Sequence, residues 1–358
     1  MTEFETTKKN LEIKNSNSIS PSMRESKLPC TVGQLLAITL PIMIAGLFAA
    51  IFVPIYVKHK KENTKFIIVN ANNTSIDNNG SNTDSGNNGT NGNNVTNGES
   101  EEAEFDEFEE NITNITYATL TPKGGYDNIL IFLGGIRNMA NDYFPFFKSE
   151  STFVPKRTKI YSICGFPRQM QFMIDYYNYT SPVPGWFNID SQGILFPTEH
   201  DFTEAKVSLN IMLDEIDRIK SEENIDYRNI YLSGFSQGGM MTTYILLNSR
   251  HELGGYIIFS GYVFDHDFSE NEVIYNLNDE QAKKLEDRMD YHIIASHSFK
   301  DDTVFYLQAA ESYRVYFADY TNFKLISFGE LLHTLPEQPS HPIVKNWLEE
   351  RIKESKGN

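Results

Sequence analysis

The sequence predicts an α/β domain built on a mainly parallel β-sheet with helices on both faces. Over the C-terminal two thirds of the chain, short apolar runs typical of buried strands alternate with amphipathic segments typical of helices. One strand–turn–helix junction among them carries the sequence GFSQG at residues 234–238. The segment from Ile115 to the C-terminus holds roughly 240 residues, which is within the range of one domain of this class.

Hydrophobic periodicity assigns the individual elements. The strand-like runs cover residues 128–132, 159–163, 229–232, 256–259, 292–295 and 323–327. The helix-like segments cover residues 203–219, 239–248, 306–316 and 342–352. Because strands joined by helices run parallel, functional side chains are expected in the loops at the carboxyl ends of the strands.

The N-terminal region differs from this pattern. Residues 1–34 are polar with mixed charge, which predicts a disordered tail. Residues 35–57 then run for 23 positions without a charged side chain, and a bilayer core takes about 20 helical residues. A cleaved signal peptide would have a shorter apolar core nearer the N-terminus, and a buried helix would show a polar face. The segment therefore predicts one transmembrane helix and a single-pass membrane protein.

Two signals disagree about the side of the membrane on which the C-terminal domain lies. Lysines cluster in residues 58–65, against Arg24 and Lys27 on the other flank, and this bias favours a cytoplasmic domain. Sequons for N-glycosylation favour a lumenal or extracellular domain instead. The sequons begin at Asn72, Asn73, Asn79, Asn88, Asn94, Asn111, Asn114 and Asn178. The side stays open at this point.

Residues 58–112 are interpreted as a disordered linker, followed by the folded domain over 113–358. Within the linker, the tract 70–98 is rich in asparagine and lacks the apolar residues needed for a core. The acidic run at 99–110 could bind a basic partner, but a solvated, self-repelling extension of the linker is favoured.

Charge and cysteine content exclude several classes of protein. A net charge of −17 would repel a polyanion, which argues against a general nucleic-acid-binding protein. The two cysteines, Cys30 and Cys164, are too few for a disulfide framework and do not have the spacing of zinc ligands. Neither charge nor cysteine content indicates a function, so the functional prediction rests on the GFSQG junction.

That junction has the pattern of a nucleophile elbow. In such an elbow a serine lies on a sharp, strained turn between strand and helix, so that its hydroxyl stands clear of the sheet. Gly234 and Gly238 lack side chains, which allows the strand and the helix to pass close together. The pattern predicts a catalytic nucleophile at Ser236.

A serine nucleophile needs a base and an acid, which in this architecture follow it in the order acid, then histidine. His333 lies in a loop just after the last predicted strand, whereas His297 would precede the acid and break the order. For the acid, Asp301 and Asp302 both lie between a strand and a helix, and one of them can serve as a helix cap instead.

An oxyanion hole needs two backbone N–H groups where negative charge develops. One is expected from Gln237, because it is the residue after the nucleophile. The other is expected from the loop after the first buried strand, residues 133–136, in which two glycines let the backbone approach a substrate.

These motifs resemble those of the phospholipase/carboxylesterase family of α/β-hydrolases, which includes acyl-protein thioesterases and lysophospholipases. The sequence GFSQGG at 234–239 is similar to the family's elbow. HSFKDDTV at 297–304 resembles the family's HGxxDxxV acid loop, which implies that Asp301 is the acid. GELLHT at 329–334 resembles the loop of the catalytic histidine, which implies His333.

The resemblance covers most of residues 127–348 and extends to the substrate site. PGWFNID at 184–190 resembles the family's WFD element near the substrate channel, which implies substrate binding by Trp186 and Phe187. The departures are an HS in the acid loop, where the family has HG, and a pair of glycines after the first strand, where the family again has HG. The second departure keeps the backbone, and its register implies that Ile136 supplies the second oxyanion N–H.

The resemblance implies a serine hydrolase that cleaves acyl thioesters or esters of acylated proteins or lipids, with no metal or organic cofactor, and the predicted transmembrane helix would anchor it in a membrane. Its catalytic groups would be Ser236, His333 and Asp301. Two alternatives remain open. One is a carboxylesterase or lysophospholipase acting on small or lipid esters, and the other is a catalytically silent, membrane-tethered binding module that keeps the fold.

Overall fold

The structure, a computed structural model of the chain, describes residues 66–68, 104–112, 115–189, 202–264, 283, 285–329 and 331–357. Within these residues, nine strands form one large sheet and two strands form a hairpin. In chain order the strands are β1 (Phe66–Ile68), β2 (Phe105–Ile112), β3 (Ile115–Pro122), β4 (Asn128–Leu133), β5 (Thr158–Ile163), β6 (Phe166–Arg168), β7 (Val183–Gly185), β8 (Ile230–Phe235), β9 (Gly255–Phe259), β10 (Ile293–Ser298) and β11 (Phe323–Phe328). The helices are α1 (Phe144–Lys148), α2 (Gln171–Tyr177), α3 (Phe202–Glu222), α4 (Gln237–Asn248), α5 (Tyr306–Phe317) and α6 (His341–Gly357).

The large sheet is mainly parallel, as the sequence predicts. Its strand order is β1-β11-β10-β9-β8-β4-β5-β3-β2. The first seven strands of this order, which end with β5, pair in parallel. The last two strands are antiparallel: β3 pairs with β5, and β2 pairs with β3. The carboxyl ends of β4, β8, β9, β10 and β11 therefore meet at one edge, where the loops that follow them lie side by side.

Alternate residues of the central strands face two separate cores. In β4, Ile129 and Ile131 belong to the core that contains α3, α4 and α5, whereas Leu130 and Phe132 belong to the core that contains α1 and α6. All of these side chains are fully buried. A strand buried on both faces reads as a continuous apolar run, which is why the sequence shows these strands so clearly.

The six predicted strands and four predicted helices of the domain are all present, with bounds that differ by a few residues. β3, an eight-residue strand that pairs with β5 and β2, was not predicted from the sequence. Nor were α1, α2 and the β6–β7 hairpin. These helices have five and seven residues, and the hairpin strands have three each. Elements this short do not complete enough periods for a hydrophobic pattern to reveal them.

The predicted linker over residues 58–112 requires a correction, since two strands of the large sheet lie within it. β1 pairs with β11 at one edge of the sheet, and β2 pairs with β3 at the other. The asparagine-rich tract 70–98 of the predicted linker lies outside the described residues. The folded domain accordingly begins well before residue 113.

The acidic composition of β2 explains the error. Its charges predict solvent exposure, but an edge strand is a place where charged side chains are favoured, because they discourage pairing with another chain. The backbone of β2 pairs with β3 along its whole length. Glu107 contacts Lys148 at 2.5 Å, and Glu104, just before β2, contacts Lys123 at 3.0 Å. The described acidic side chains of β2 are therefore compatible with strand formation, because the backbone pairs with β3 while these side chains face solvent.

The predicted tail 1–34 and the predicted transmembrane helix 35–57 lie outside the described residues. In the part of the chain that the structure does describe, no helix combines the length and the apolar character needed to cross a bilayer. The membrane anchor therefore stays a prediction.

Candidate active site

Ser236 lies on the turn between the end of β8 and the start of α4. Its backbone has φ 57° and ψ −123°, a conformation that residues other than glycine rarely adopt. The Ser236 N–H donates to the carbonyl of Phe259 at 2.9 Å, which ties the turn to the end of β9. Backbone strain of this kind persists only where the surroundings enforce it, and it is concentrated at functional sites. The turn has the geometry predicted for a nucleophile elbow.

Gly234 and Gly238 allow the close approach that this turn requires. A Cβ atom at Gly234 would lie 2.2 Å from the carbonyl oxygen of Gly238. A Cβ atom at Gly238 would lie 2.0 Å from the carbonyl oxygen of Leu133 in β4. Both obstacles are backbone atoms, so a side-chain rotation could not relieve the overlap. The structure therefore agrees with the expectation that glycine at these positions lets the strand and the helix pass close together.

The loops after β10 and β11 bring an aspartate and a histidine together. His333 Nδ1 lies 2.8 Å from Oδ2 and 3.0 Å from Oδ1 of Asp301. Asp301 Oδ1 also accepts the backbone N–H groups of Thr303 at 3.0 Å and Val304 at 2.8 Å. Asp301 is buried, whereas Asp302 is exposed to solvent. Of the two aspartates that sequence order left open, only Asp301 contacts the histidine.

Asp301 is held as a carboxylate in spite of its burial. Burial is the strongest single influence on its pKa and acts to raise it. The hydrogen bond and charge of His333, the charge of His297 and the N–H of Val304 together outweigh burial, so the pKa lies below its ordinary value. An ionised acceptor at Nδ1 holds the proton of His333 on that nitrogen and leaves Nε2 as the basic one.

A second histidine lies behind the same carboxylate. His297 Nε2 is 2.7 Å from the carbonyl oxygen of Val304 and 3.4 Å from Oδ2 of Asp301. Its side chain is 1% exposed, against 14% for His333, and burial is the main cause that lowers its pKa. His297 is therefore enclosed behind the carboxylate, whereas His333 is partly exposed. Among the described residues, no three histidine, cysteine, aspartate or glutamate side chains are grouped so that they could hold a metal ion.

The elbow lies beside the Asp301–His333 pair. The ring of Phe235, the residue before Ser236, lies 4.7 Å from the ring of His333 between centroids. Nε2 of His333 is buried, and no residue in the described part of the chain hydrogen-bonds to it. The residue before Ser236 is thus a neighbour of the histidine that contacts Asp301, and Nε2 of that histidine has no hydrogen-bond partner among the described residues.

Buried polar side chains hold the loop that carries His333. Ser298 Oγ donates to the Leu331 carbonyl, and Gln338 Nε2 donates to the Thr334 carbonyl at 2.7 Å. Gln338 Oε1 accepts the hydroxyl of Ser296 at 2.9 Å, which fixes the loop to the end of β10. Gln338 is 3% exposed. A role for Gln338 was not predicted, because nothing in the local sequence pattern distinguishes it from a surface residue.

The backbone predicted to bind an oxyanion lies next to Ser236. A Cβ atom at Gly135 would lie 3.3 Å from Cβ of Ser236, so the loop after β4 passes directly over the elbow. Gln237 is the first residue of α4, and the first N–H groups of a helix have no acceptor within it. Ile136 is half-buried in the same loop. Both predicted oxyanion donors are therefore on backbone near the nucleophile.

Trp186 and Phe187, predicted to bind substrate, are fully buried at 0% exposure. The Trp186 N–H donates to Oε1 of Gln237 at 2.8 Å, and the Phe187 carbonyl accepts from Nε2 of Gln237 at 2.7 Å. Nε1 of the Trp186 indole donates to the Gly134 carbonyl at 2.9 Å. The structure places these residues in the core beneath the site, in contact with its backbone. The role of the Gln237 side chain was not predicted from the sequence.

Comparisons with known proteins agree on one family of sequences. The family model described as Phospholipase/Carboxylesterase matches residues 118–338. The chain is 27% identical over 180 residues to a probable carboxylesterase SOBER1-like of Arabidopsis thaliana, which is 50% of this chain and 63% of that protein. The chain thus spans a little less than two thirds of that relative. It is 23% identical over 247 residues to acyl-protein thioesterase 1 of Cryptococcus neoformans, which is 65% of this chain and 96% of that protein.

The fold is similar to that of solved structures of low sequence identity. One is TT1662 from Thermus thermophilus, with a TM-score of 0.51 and 11% identity, where the match covers 69% of this chain and 98% of the other. At this identity the likeness concerns the fold alone. It agrees with the mainly parallel sheet and the helices on both of its faces.

Proposed function

Because the chain belongs to the phospholipase/carboxylesterase family, we propose that Ser236, His333 and Asp301 are the catalytic triad of an esterase or thioesterase. The chain has the α/β-hydrolase fold and is a serine hydrolase of the carboxylesterase or acyl-protein thioesterase type. The observation that carries the proposal is the contact of His333 with Asp301 at 2.8 Å, beside a serine on a strained strand–helix turn.

The proposed reaction proceeds through an acyl-enzyme. Ser236 Oγ attacks the carbonyl carbon of the substrate while His333 Nε2 takes the hydroxyl proton. The tetrahedral intermediate collapses, the bond to the leaving oxygen or sulfur breaks, and His333 returns the proton to that atom. Water, deprotonated by the same nitrogen, then attacks the acyl-enzyme and releases the carboxylic acid and free serine. Asp301 stabilises the imidazolium in each half of the cycle.

Backbone N–H groups stabilise the negative oxygen of both tetrahedral intermediates in this proposal. The donors are Gln237, at the N-terminus of α4, and Ile136, in the loop after β4. The partial positive charge at a helix N-terminus favours an anion at the first of them. Donors fixed by the fold need no reorganisation during the reaction, which makes this stabilisation effective.

Exposed apolar side chains close in sequence to Asp301 and His333 support acyl chains as the substrate class. Phe299 and Phe305, which are 44% and 41% exposed, flank Asp301 in sequence, and Leu332, which is 59% exposed, precedes His333. Burial of these side chains against a substrate is favourable at roughly 0.8 kcal/mol per buried methylene group. A long acyl thioester or ester that contacts these side chains would therefore gain more than a short one. A carboxylesterase that prefers small esters is the second candidate, because one relative is described as a probable carboxylesterase.

Labelling with a fluorophosphonate tests the proposed nucleophile. The wild-type chain should be labelled covalently and should hydrolyse acyl esters or thioesters, and Ser236→Ala should lose both properties. Matched long- and short-chain thioesters and oxygen esters then separate the two substrate classes. Absence of labelling and of hydrolysis in a folded wild-type chain would favour the catalytically silent binding module.

We also propose that residues 35–57 anchor the enzyme in a membrane as a single-pass helix. The support is the uncharged run of 23 residues described above. An anchor would keep the enzyme near lipidated substrates, which concentrate in the bilayer. The side on which the catalytic domain lies stays open, because the lysines and the sequons disagree.

The anchor predicts a clear difference in extraction. The full chain should remain in the membrane fraction after alkaline carbonate treatment, whereas a chain that begins at Asn63 should be soluble. This start preserves β1 and β2, which a start at residue 113 would remove from the sheet. Recovery of the intact full chain in the soluble fraction would contradict the proposal. Sensitivity of the full chain to a glycosidase would place the domain on the lumenal side.

A further inference from the structure

The loop after β4 is a weak point of the proposed oxyanion hole, because it contains two consecutive glycines. Glycine has more backbone conformational freedom than any other residue type, so Gly134 and Gly135 do not fix the loop by themselves. An oxyanion donor, however, must be held in one orientation. The loop must therefore be fixed by contacts from outside it. The structure describes hydrogen bonds on three consecutive peptide groups, two of them from outside the loop and one from Asn138 in the same turn.

Each of the three consecutive peptide groups between Gly134 and Arg137 forms a hydrogen bond through an atom other than the Ile136 N–H. The Gly134 carbonyl accepts the Trp186 indole N–H at 2.9 Å. The Gly135 carbonyl accepts the N–H of Asn138 at 3.3 Å. The Arg137 N–H donates to the Pro184 carbonyl at 2.9 Å, and Arg137 itself has φ 70°. Among the described residues the Ile136 N–H has no acceptor, and these contacts set the plane of the peptide that carries it.

Two of the three contacts come from one short segment, residues 184–187. That segment is itself held by the side chain of Gln237, which accepts the Trp186 N–H at 2.8 Å and donates to the Phe187 carbonyl at 2.7 Å. Gln237 and Trp186 are both 0% exposed, so these hydrogen bonds do not compete with water. The Ser208 hydroxyl on α3 also donates to the Trp186 carbonyl.

From this chain of contacts we propose that Trp186 is a positioning residue, which holds the Gly134–Ile136 backbone in the orientation that stabilises the oxyanion. Gln237 connects the two halves of the hole. Its backbone N–H is one donor, and its side chain fixes the segment that fixes the other donor. This inference rests on the proposed serine-hydrolase function, and it replaces direct substrate contact as the role of Trp186.

Trp186→Phe tests the role of the indole N–H. The variant keeps an aromatic ring in the buried site but leaves the Gly134 carbonyl without its donor. Loss of one oxyanion donor lowers kcat by about 100- to 1,000-fold, and a misplaced donor should cost roughly ten- to 100-fold. KM for a short soluble ester should stay within about threefold, since the substrate does not contact Trp186. The rate of fluorophosphonate labelling should fall in parallel with kcat.

Trp347→Phe is the matched control. Trp347 is the other tryptophan of the chain, is 4% exposed, and lies on α6 in the core on the opposite face of the sheet. Its substitution should lower the melting temperature as Trp186→Phe does, but it should leave kcat within about twofold. An equal loss of kcat in both variants would overturn the proposal, because the effect would then follow stability.

Gln237→Glu provides a second, independent variant. It keeps an acceptor for the Trp186 N–H but places a carboxylate oxygen against the Phe187 carbonyl, so kcat should again fall while KM changes little. A folded Trp186→Phe or Gln237→Glu chain with wild-type kcat would overturn the inference and leave the proposed function intact. A folded wild-type chain that neither reacts with the fluorophosphonate nor hydrolyses the ester would overturn both.

Discussion

Replacement of Ser236 or His333 by alanine should lower kcat by at least about 1,000-fold, and the double replacement should cost little more than either one. The reason is that the two groups act in a single step. Without the serine there is no acyl-enzyme, and without the imidazole nothing takes the proton from Ser236. Steady-state kinetics on one acyl ester, with each variant shown to be folded by circular dichroism, would measure the effect. Additive losses in the double variant would contradict the assignment.

The acid of the triad can be tested with two neighbouring residues. Asp301→Asn should lower kcat by about 1,000-fold or more, because an amide cannot stabilise the imidazolium and can hold the histidine in the wrong tautomer. Asp302→Asn should change kcat by less than about twofold, since Asp302 is exposed and has no contact with His333. A larger loss from Asp302→Asn than from Asp301→Asn would show that the acid is wrongly assigned.

The sequence predicts the parts of this fold in which the local pattern and the environment agree. β4 and β8 to β11 are buried on both faces, and their apolar runs identify them without knowledge of their neighbours. The elbow is also local, since strand, turn and helix follow one another within about twenty residues. A motif of this kind needs no long-range information to be recognised.

The sequence does not predict features that depend on a distant partner. β2 is acidic and exposed, and what makes it a strand is its pairing with β3. β1 pairs with β11, which is more than 250 residues away in the chain. The side chain of Gln237 is similar: its position after the nucleophile predicts a backbone role, but its two side-chain partners come from residues 184–187.

The choice between Asp301 and Asp302 shows the same limit. Sequence order allows both, and the family resemblance selects Asp301 by register alone. In the structure, Asp301 accepts the N–H groups of Thr303 and Val304, which turn its carboxylate inward. The neighbouring side chain is exposed to solvent. Two adjacent aspartates thus differ completely in burial. The conformation of the loop, which the sequence does not reveal, decides which of them is buried.

The second large effect concerns folding. Gly238→Ala should destabilise the domain by at least about 3 kcal/mol, which is a large part of the total stability of a typical domain. The added Cβ would lie 2.0 Å from the carbonyl oxygen and 2.6 Å from the carbonyl carbon of Leu133. These are backbone atoms of a central strand, so relief would require β4 and α4 to move apart, and the elbow and the loop over it would move with them.

The sign of this effect makes the test decisive. In an ordinary helix, glycine to alanine stabilises by up to about 1 kcal/mol, because alanine has the higher helix propensity. Gly238 is the second residue of α4 and should show the opposite. Gly124→Ala is the matched control, since a Cβ atom there would meet nothing within 4 Å. Thermal and urea unfolding should give a near wild-type midpoint for Gly124→Ala and a strongly lowered midpoint, or no soluble folded chain, for Gly238→Ala. A Gly238→Ala chain that melts with the wild type would mean that the strand and the helix are not packed as closely as the structure describes.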